Sequence, residues 1–129
     1  MEKNFTEDYS AKKGKTTIDP EVLLAIARLT TMDVPGVSRM SETPGSVNRF
    51  LSRGVGEGVR IQIKQEVVHA DLYIVLEEGV NFRDVSRQVQ QNVSRAISEM
   101  VGMQIGQVNI HIEDIDFQEE KPQPASEEE

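Results

Sequence analysis

Apolar residues recur at helical spacing in two stretches of the chain, which predicts two amphipathic helices. The first helix begins at Asp19–Glu21, where an aspartate can cap the first turn, a proline occupies the first helical position and a glutamate complements the helix dipole. It ends before Val34–Gly36, because a proline cannot continue a helix. The residues expected on its core-facing side are Val22, Leu23, Ile26, Ala27 and Leu29.

The second helix begins at Asn81, which can accept a hydrogen bond from the first turn. Asp84 lies in that turn, and Gly102 suits the left-handed residue that closes a helix. Its apolar residues follow one face, so the helix is expected to pack on a sheet. They are Val85, Val89, Val93, Ala96, Ile97 and Met100.

Strands are indicated where apolar and polar residues alternate. Val59–Lys64 and His69–Leu76 alternate in this way, and the polar pair Gln65–Glu66 between them predicts a tight antiparallel hairpin, although it is not the usual Asn-Gly turn. Val108–Glu113 predicts a further strand. Lys15–Ile18 predicts a short one before the first helix.

This order of elements predicts an α+β fold, with a small antiparallel or mixed sheet of three to four strands and two main helices packed on one face. We expect the folded domain at residues 14–117. A disordered or loosely held arm is expected at 1–13 and an acidic disordered tail at 118–129, since QEEKPQPASEEE contains almost nothing apolar. Residues 36–58 are the least regular part of the domain. One short amphipathic turn is expected there, with inward residues Val47, Phe50 and Leu51.

The composition excludes several classes of protein. The chain of 129 residues has no Cys and no Trp, so disulfides, thiolate nucleophiles and cysteine metal sites are ruled out. No apolar run is long enough to span a membrane, and the polar start MEKNFTEDYSAKKGK lacks the apolar stretch of a signal peptide. We therefore expect a cytoplasmic protein without direct membrane insertion.

The net charge of −8 belongs to the C-terminal tail. Residues 113–129 hold eight acids against one lysine, whereas residues 1–13 are neutral and residues 14–112 carry only −1. Acidic runs usually remain solvated, so the tail does not by itself indicate a partner.

The two histidines, His69 and His111, lie on the polar sides of predicted strands. If those strands are neighbours, the histidines could cluster with Asp71 and Glu113, and such a set could bind a metal or exchange protons. The close spacings usual for metal ligands are absent from the sequence. A hydrated sheet face with cross-strand pairs is therefore favoured, and no cofactor is expected.

Arginines provide the candidate partner-binding residues. Arg83, Arg87 and Arg95 follow the polar face of the second helix, and Arg49 and Arg53 lie in the irregular stretch. Guanidinium groups bind acidic protein surfaces and phosphates. A nucleic-acid site normally also has a basic domain and stacking aromatics, which this nearly neutral domain lacks, so no nucleic acid is expected.

No motif indicates catalysis. Gly54, Gly56 and Gly58 precede a strand and are followed by no Lys-Ser/Thr pair, unlike the glycines of a phosphate-binding loop. No serine lies in a Gly-x-Ser-x-Gly context. The sequence therefore predicts a protein that is not an enzyme.

A family resemblance is carried by two segments, TTIDPEVLLAIARLTTMDVPGV and GVRIQIKQEVVHADLYIVLEEGVNFRDVSRQVQQNVSRAISEMVGMQIGQVNIHIEDI. Its features are the turn Asp33–Val37, the strand entry Gly58–Val59, the strand DLYIVLEEGV leading into Asn81, and the closing GMQIGQVNIHIEDI. Over residues 16–115 the chain resembles the alkaline shock protein family, the envelope stress response proteins of Gram-positive and related bacteria. It departs from the family pattern at Glu78–Gly79, where a Tyr-Gly pair commonly ends the strand.

The resemblance implies a non-enzymatic cytoplasmic protein of cell-envelope homeostasis. In some members of the family an integral membrane protein holds the protein at the membrane, and the protein self-associates. The leading hypothesis is therefore a protein-protein interaction module docked to a membrane-anchored partner or to copies of itself. The alternative is a regulator linked to fatty-acid synthesis, acting through an enzyme complex or nucleic acid. A metal-dependent enzyme built around His69 and His111 is a third possibility.

Overall fold

A computed structural model describes residues 14–44 and 55–118 of the chain. The elements in this part are α1 (Pro20–Met32), β1 (Val37–Met40), β2 (Val55–Gly56), β3 (Val59–Lys64), β4 (Val67–Glu77), α2 (Phe82–Ala96, continued by a π-helical turn at Ile97–Val101) and β5 (Gln104–Asp116). The arm at 1–13 and the tail beyond Gln118 lie outside the described residues. So do Arg49, Arg53 and the turn expected around Val47, Phe50 and Leu51.

Strand β4 is the centre of the sheet. Along one edge it pairs antiparallel with β3 and then with β1, which follow one another end to end. At the junction, the Tyr73 N–H donates to the Gly58 carbonyl and the Tyr73 carbonyl accepts from the Ser41 N–H, both at 2.8 Å. Along the other edge β4 pairs in parallel with β5, from Val67 opposite Gln104 to Glu77 opposite Asp116. The sheet is therefore mixed, and α2 is the crossover that parallel pairing requires.

The predicted α+β class is confirmed. Both helices contribute buried residues to one core against the same face of the sheet. Alternate residues of β4 form the centre of this core, and each has no exposed surface. They are Val68, Ala70, Leu72, Ile74 and Leu76. The two-residue β2 extends the sheet beyond the β3 edge.

The predicted helix starts are confirmed by their caps. The Asp19 carboxylate accepts a hydrogen bond from the Glu21 N–H at 2.9 Å, and Pro20 is the first residue of α1. The Asn81 side chain accepts from the Asp84 N–H at 3.0 Å at the start of α2. Gly102 closes the π-helical turn with a φ of 77°, in the left-handed region that glycine adopts without strain.

Two expectations about the first part of the chain are wrong. Lys15–Ile18 forms no strand, and the first strand is instead Val37–Met40, inside the stretch that was expected to be irregular. Only Val37 and Met40 of its four residues are buried, so the strand carries too few apolar positions to give a pattern. In α1, the buried residues are Leu23, Ala27 and Thr31, whereas Val22 and Leu29, which were expected in the core, are exposed.

The predicted hairpin between β3 and β4 is confirmed, and its turn is strained. Lys64 pairs with Val67, so Gln65 and Glu66 alone form the turn. Their φ angles are 52° and 68°, which is the left-handed conformation at both positions of a type I′ turn. Residues with a Cβ adopt this conformation at a cost of about 1 kcal/mol or more each.

We predict that Gln65→Asn combined with Glu66→Gly raises the free energy of unfolding by about 1 kcal/mol, because asparagine and glycine tolerate the left-handed region. Urea unfolding followed by circular dichroism measures this change. The matched control is Gln65→Ala with Glu66→Ala, which keeps a Cβ at both positions and is expected to give no gain. Equal stabilisation by both pairs would show that turn strain is not the cause.

Candidate interaction surface

The predicted arginine face lies on the outer side of α2. The inner side of this helix is buried along Val85, Val89 and Val93. Arg83, Arg87 and Arg95 are all exposed. At about 100° per residue, Arg87 lies roughly opposite that buried line, and Arg83 and Arg95 lie about 120° from it on either side. None of the three arginines forms an ion pair with a described residue. The structure therefore presents three exposed cationic groups spread over about 18 Å along the outer side of α2.

A shallow depression adjoins this face, where α2 passes the beginning of β5. It is lined by five residues with polar side chains and one isoleucine, and more of its exposed lining comes from apolar than from polar atoms: Gln90, Gln91, Ser94, Arg95, Ser98 and Ile105. The Gln90 amide donates to the Val108 carbonyl at 3.0 Å and so ties α2 to β5. The neighbouring Gln91, Ser94 and Ser98 supply hydrogen-bonding groups beside the Arg95 charge, which suits contact with a polar protein surface.

The histidine cluster is only partly assembled. β4 and β5 are neighbours, and His111 Nε2 lies 3.0 Å from Asp71 Oδ1. The His111 ring also stacks on Tyr73 at a centroid distance of 4.5 Å. His69 has a different partner, since its Nδ1 accepts a hydrogen bond from the Gln107 N–H at 3.3 Å. Among residues 14–44 and 55–118, no three histidine or acidic side chains converge as a group that could hold a metal ion.

The absence of a side chain at Gly106 leaves the space that the His69 ring occupies. A Cβ at position 106 would lie 2.5 Å from the His69 Cε1 atom, so only glycine allows the imidazole to pack directly on the β5 backbone. The register of β5 against β4 also shifts between Val68 and Ala70, beside this contact. The close fit accounts for His69 as part of strand packing.

Asp71 is held in its ionised form by the same network. Burial alone would raise the pKa of Asp71, but hydrogen bonds from His111 and Asn109 outweigh it, and the pKa is below its ordinary value. The Asp71 carboxylate therefore acts as a cross-strand acceptor, and it lies between β4 and β5 in a surface of paired polar groups.

A second polar link crosses the open face of the sheet. Asp116 of β5 accepts hydrogen bonds from Arg39 Nε at 2.9 Å and from Ser38 Oγ at 2.6 Å, both on β1. β1 and β5 flank opposite edges of β4, so the Arg39 side chain must pass over β4, where its own pairing partner is Val75. Val75 is only 1% exposed although it is on the face away from the helices. Hydrogen bonds from Arg39 and Ser38 lower the pKa of Asp116.

An exposed apolar surface on α1 was missed by the sequence reasoning. Val22, Leu29 and Met32 lie on the outer side of the helix, and Ile18 precedes it, also exposed. Their spacing resembles that of core residues, and for this reason the apolar pattern alone predicts Val22 and Leu29 in the core. The sequence does contain a signal for exposed apolar residues, because α1 is apolar on two sides. A single sheet can cover only one side of a helix, so the other side must remain exposed.

Comparisons with known proteins identify relatives over most of the chain. A model of the alkaline shock protein 23 family, described as having a cell envelope-related function, matches residues 8–117. The chain is 34% identical over 106 residues to YqhY of Bacillus subtilis, which bears the name uncharacterized protein, and the match covers 81% of this chain and 78% of YqhY. It is 34% identical over 112 residues to Spy1535 of Streptococcus pyogenes, also named uncharacterized, and this match covers 86% and 85% of the two chains.

Among solved structures, the fold superposes on a variant of the MamM CTD with a TM-score of 0.47 and 15% identity, over 73% of this chain and 95% of that chain. In the part of the chain that the structure describes, neither helix has the length and apolar character needed to cross a membrane.

We predict that Asp116→Asn lowers the midpoint of urea unfolding near pH 7, because it removes the charge that Arg39 and Ser38 stabilise. The folded pKa of Asp116 lies below its ordinary value of 3.8, so this stabilisation is present above that value and is lost as pH falls through the folded pKa. The difference between the two proteins should therefore shrink toward about pH 2. Glu113→Gln, which removes an exposed carboxylate of the same strand, is the control. A difference that stays constant across this range would contradict the role of the charge.

Proposed function

The chain belongs to the alkaline shock protein 23 family, whose function is cell envelope-related, and from this premise we propose that it is a non-enzymatic envelope stress response protein that binds a membrane-anchored protein. It works at the inner face of the cell membrane and reaches the membrane through that partner. The observation that carries this proposal is the arginine face of α2, formed by Arg83, Arg87 and Arg95.

The exposure of the arginine face supports a binding role. Three guanidinium groups that form no ion pair with a described residue are available for bidentate hydrogen bonds to carboxylates of another protein. Arginine is also enriched at the energetically important positions of protein interfaces. The expected partner is accordingly an acidic surface, which the depression beside Arg95 can contact with its amides and hydroxyls.

The state of the other polar groups supports a role without catalysis. Asp71 and His111 bind each other, His69 binds the β5 backbone, and Asp116 binds Arg39. Each of these groups is engaged in holding strands together. Among the described residues, no third histidine or acidic side chain joins the Asp71–His111 pair in a group that could hold a metal ion.

The test uses the full-length protein with Arg83→Gln, Arg87→Gln and Arg95→Gln combined, since glutamine keeps helix propensity while removing charge. After gentle cell lysis, the share of protein in the membrane fraction is measured by quantitative immunoblotting. Affinity recovery from the solubilised fraction then identifies the bound membrane protein. We expect the triple variant to lose most of its membrane share, and the wild-type complex to weaken as salt rises.

The matched control is Lys12→Ser, Lys13→Ser and Lys15→Ser combined, which removes the same number of positive charges outside α2. It should retain the membrane share of the wild type. A triple arginine variant that still fractionates with membranes would show that this face is not the binding surface. Recovery of the wild type with enzymes of fatty-acid synthesis, and with no membrane protein, would contradict the proposal and favour the alternative role.

A further inference from the structure

The outer side of α1 is an apolar stripe that is in contact with solvent. Leu29 is 59% exposed, Val22 44% and Met32 39%, and Ile18, just before the helix, is 42% exposed. The opposite side of the same helix is buried in the core through Leu23 and Ala27. Single exposed apolar residues are common on protein surfaces, but a contiguous row along a helix indicates a contact site.

The spacing of the stripe is that of a helix-helix contact. Val22, Ala25, Leu29 and Met32 follow one another at intervals of three, four and three residues, as the core positions of paired helices do. The row lies roughly 180° around the helix from the buried line. Its middle residue, Ala25, is small, so the axis of a second helix can approach closely at that point.

We propose that this stripe binds the same stripe of a second copy of the chain, with the two α1 helices antiparallel across a two-fold axis near Ala25. This proposal does not depend on the function proposed above. Reversal of the second helix places Val22 of one copy against Leu29 of the other, so apolar residues meet on both sides of the axis.

The charges beside the stripe fit this arrangement. Glu21 and Arg28 flank the row on one side and are both exposed. In the antiparallel pair, Glu21 of one copy lies beside Arg28 of the other, and the symmetry repeats this opposite-charge contact. The surface is therefore self-complementary in both apolar pattern and charge, which is what a symmetric interface between identical chains requires.

The size of the stripe sets the expected strength. The helix from Pro20 to Met32 has 13 residues and is about 20 Å long, so one helix pair buries less than the roughly 800 Å² per partner of a standard stable interface. We expect a reversible dimer in the micromolar range, which is best detected at high protein concentration. Confinement at a membrane would increase its population by raising local concentration.

The decisive experiment exchanges the flanking charges and measures association by sedimentation equilibrium. Glu21→Arg alone places two arginines together at each contact, and Arg28→Glu alone places two glutamates together. Each variant should dimerise about tenfold more weakly than the wild type. A mixture of the two single variants should form heterodimers with affinity near that of the wild type, because opposite charges meet again. Circular dichroism confirms that both variants keep the fold.

A cross-linking experiment tests the position of the axis. The chain contains no cysteine, so Ala25→Cys introduces a unique thiol at the expected axis. Helix axes about 8–10 Å apart bring facing Cα atoms close to the separation that a disulfide needs. We expect mild oxidation to link Ala25→Cys into covalent dimers much faster than Ser98→Cys, a control on the exposed end of the α2 region.

The apolar contact is tested with Leu29→Glu, which should abolish the dimer. The control Phe117→Glu alters an even more exposed apolar residue outside α1 and should leave the dimer intact. The proposal is wrong if the wild type stays monomeric at high concentration, as it would if residues outside the described ranges covered the stripe. Mixed charge variants that fail to associate, or equal cross-linking at positions 25 and 98, would also overturn it.

Discussion

The central position of β4 determines most of this structure. Both of its edges are paired, by β3 and β1 on one side and by β5 on the other, and its residues from Leu72 to Leu76 are all buried. Because both faces of this strand are also covered, side chains of the other elements must pack against it on each side. The helices cover one face. The Arg39–Asp116 link and the His111–Tyr73 stack cover part of the other, which keeps Val75 and Tyr73 out of solvent.

Because the sheet occupies only the inner sides of the two helices, their outer sides are left for contacts with other molecules. These outer sides differ in chemistry. α2 is basic along Arg83, Arg87 and Arg95, whereas α1 is apolar along Val22, Leu29 and Met32. The first suits an acidic partner and the second suits a like helix. The contact proposed for α2 and the contact proposed for α1 are therefore compatible with each other, since the two surfaces do not share residues.

The features that were predictable from sequence depend on local chemistry. Asp19 and Asn81 mark helix starts because their side chains cap a first turn, and Pro20 suits the first helical position. Alternation of apolar and polar residues along β3 and β4 predicts which of their side chains face the core. The missed features depend on contacts between distant residues. β1 is a strand because Val37 and Met40 meet β4, and Val22 is exposed because the sheet covers only one side of α1. For the candidate sites, the sequence indicated the arginine face and the Asp71–His111 contact. The sequence could not show that His69 accepts a hydrogen bond from the Gln107 N–H, since this contact depends on the space beside Gly106.

Native-state hydrogen exchange measured residue by residue tests the central claim most directly. If β4 organises the fold, its amides from Val68 to Leu76 should exchange more slowly than those of any other element, and only through global unfolding. The amides of α1 and α2 should exchange through smaller openings with lower free energies, because each helix contributes one packed side. Helix amides that exchange more slowly than the amides of β4 would contradict the account.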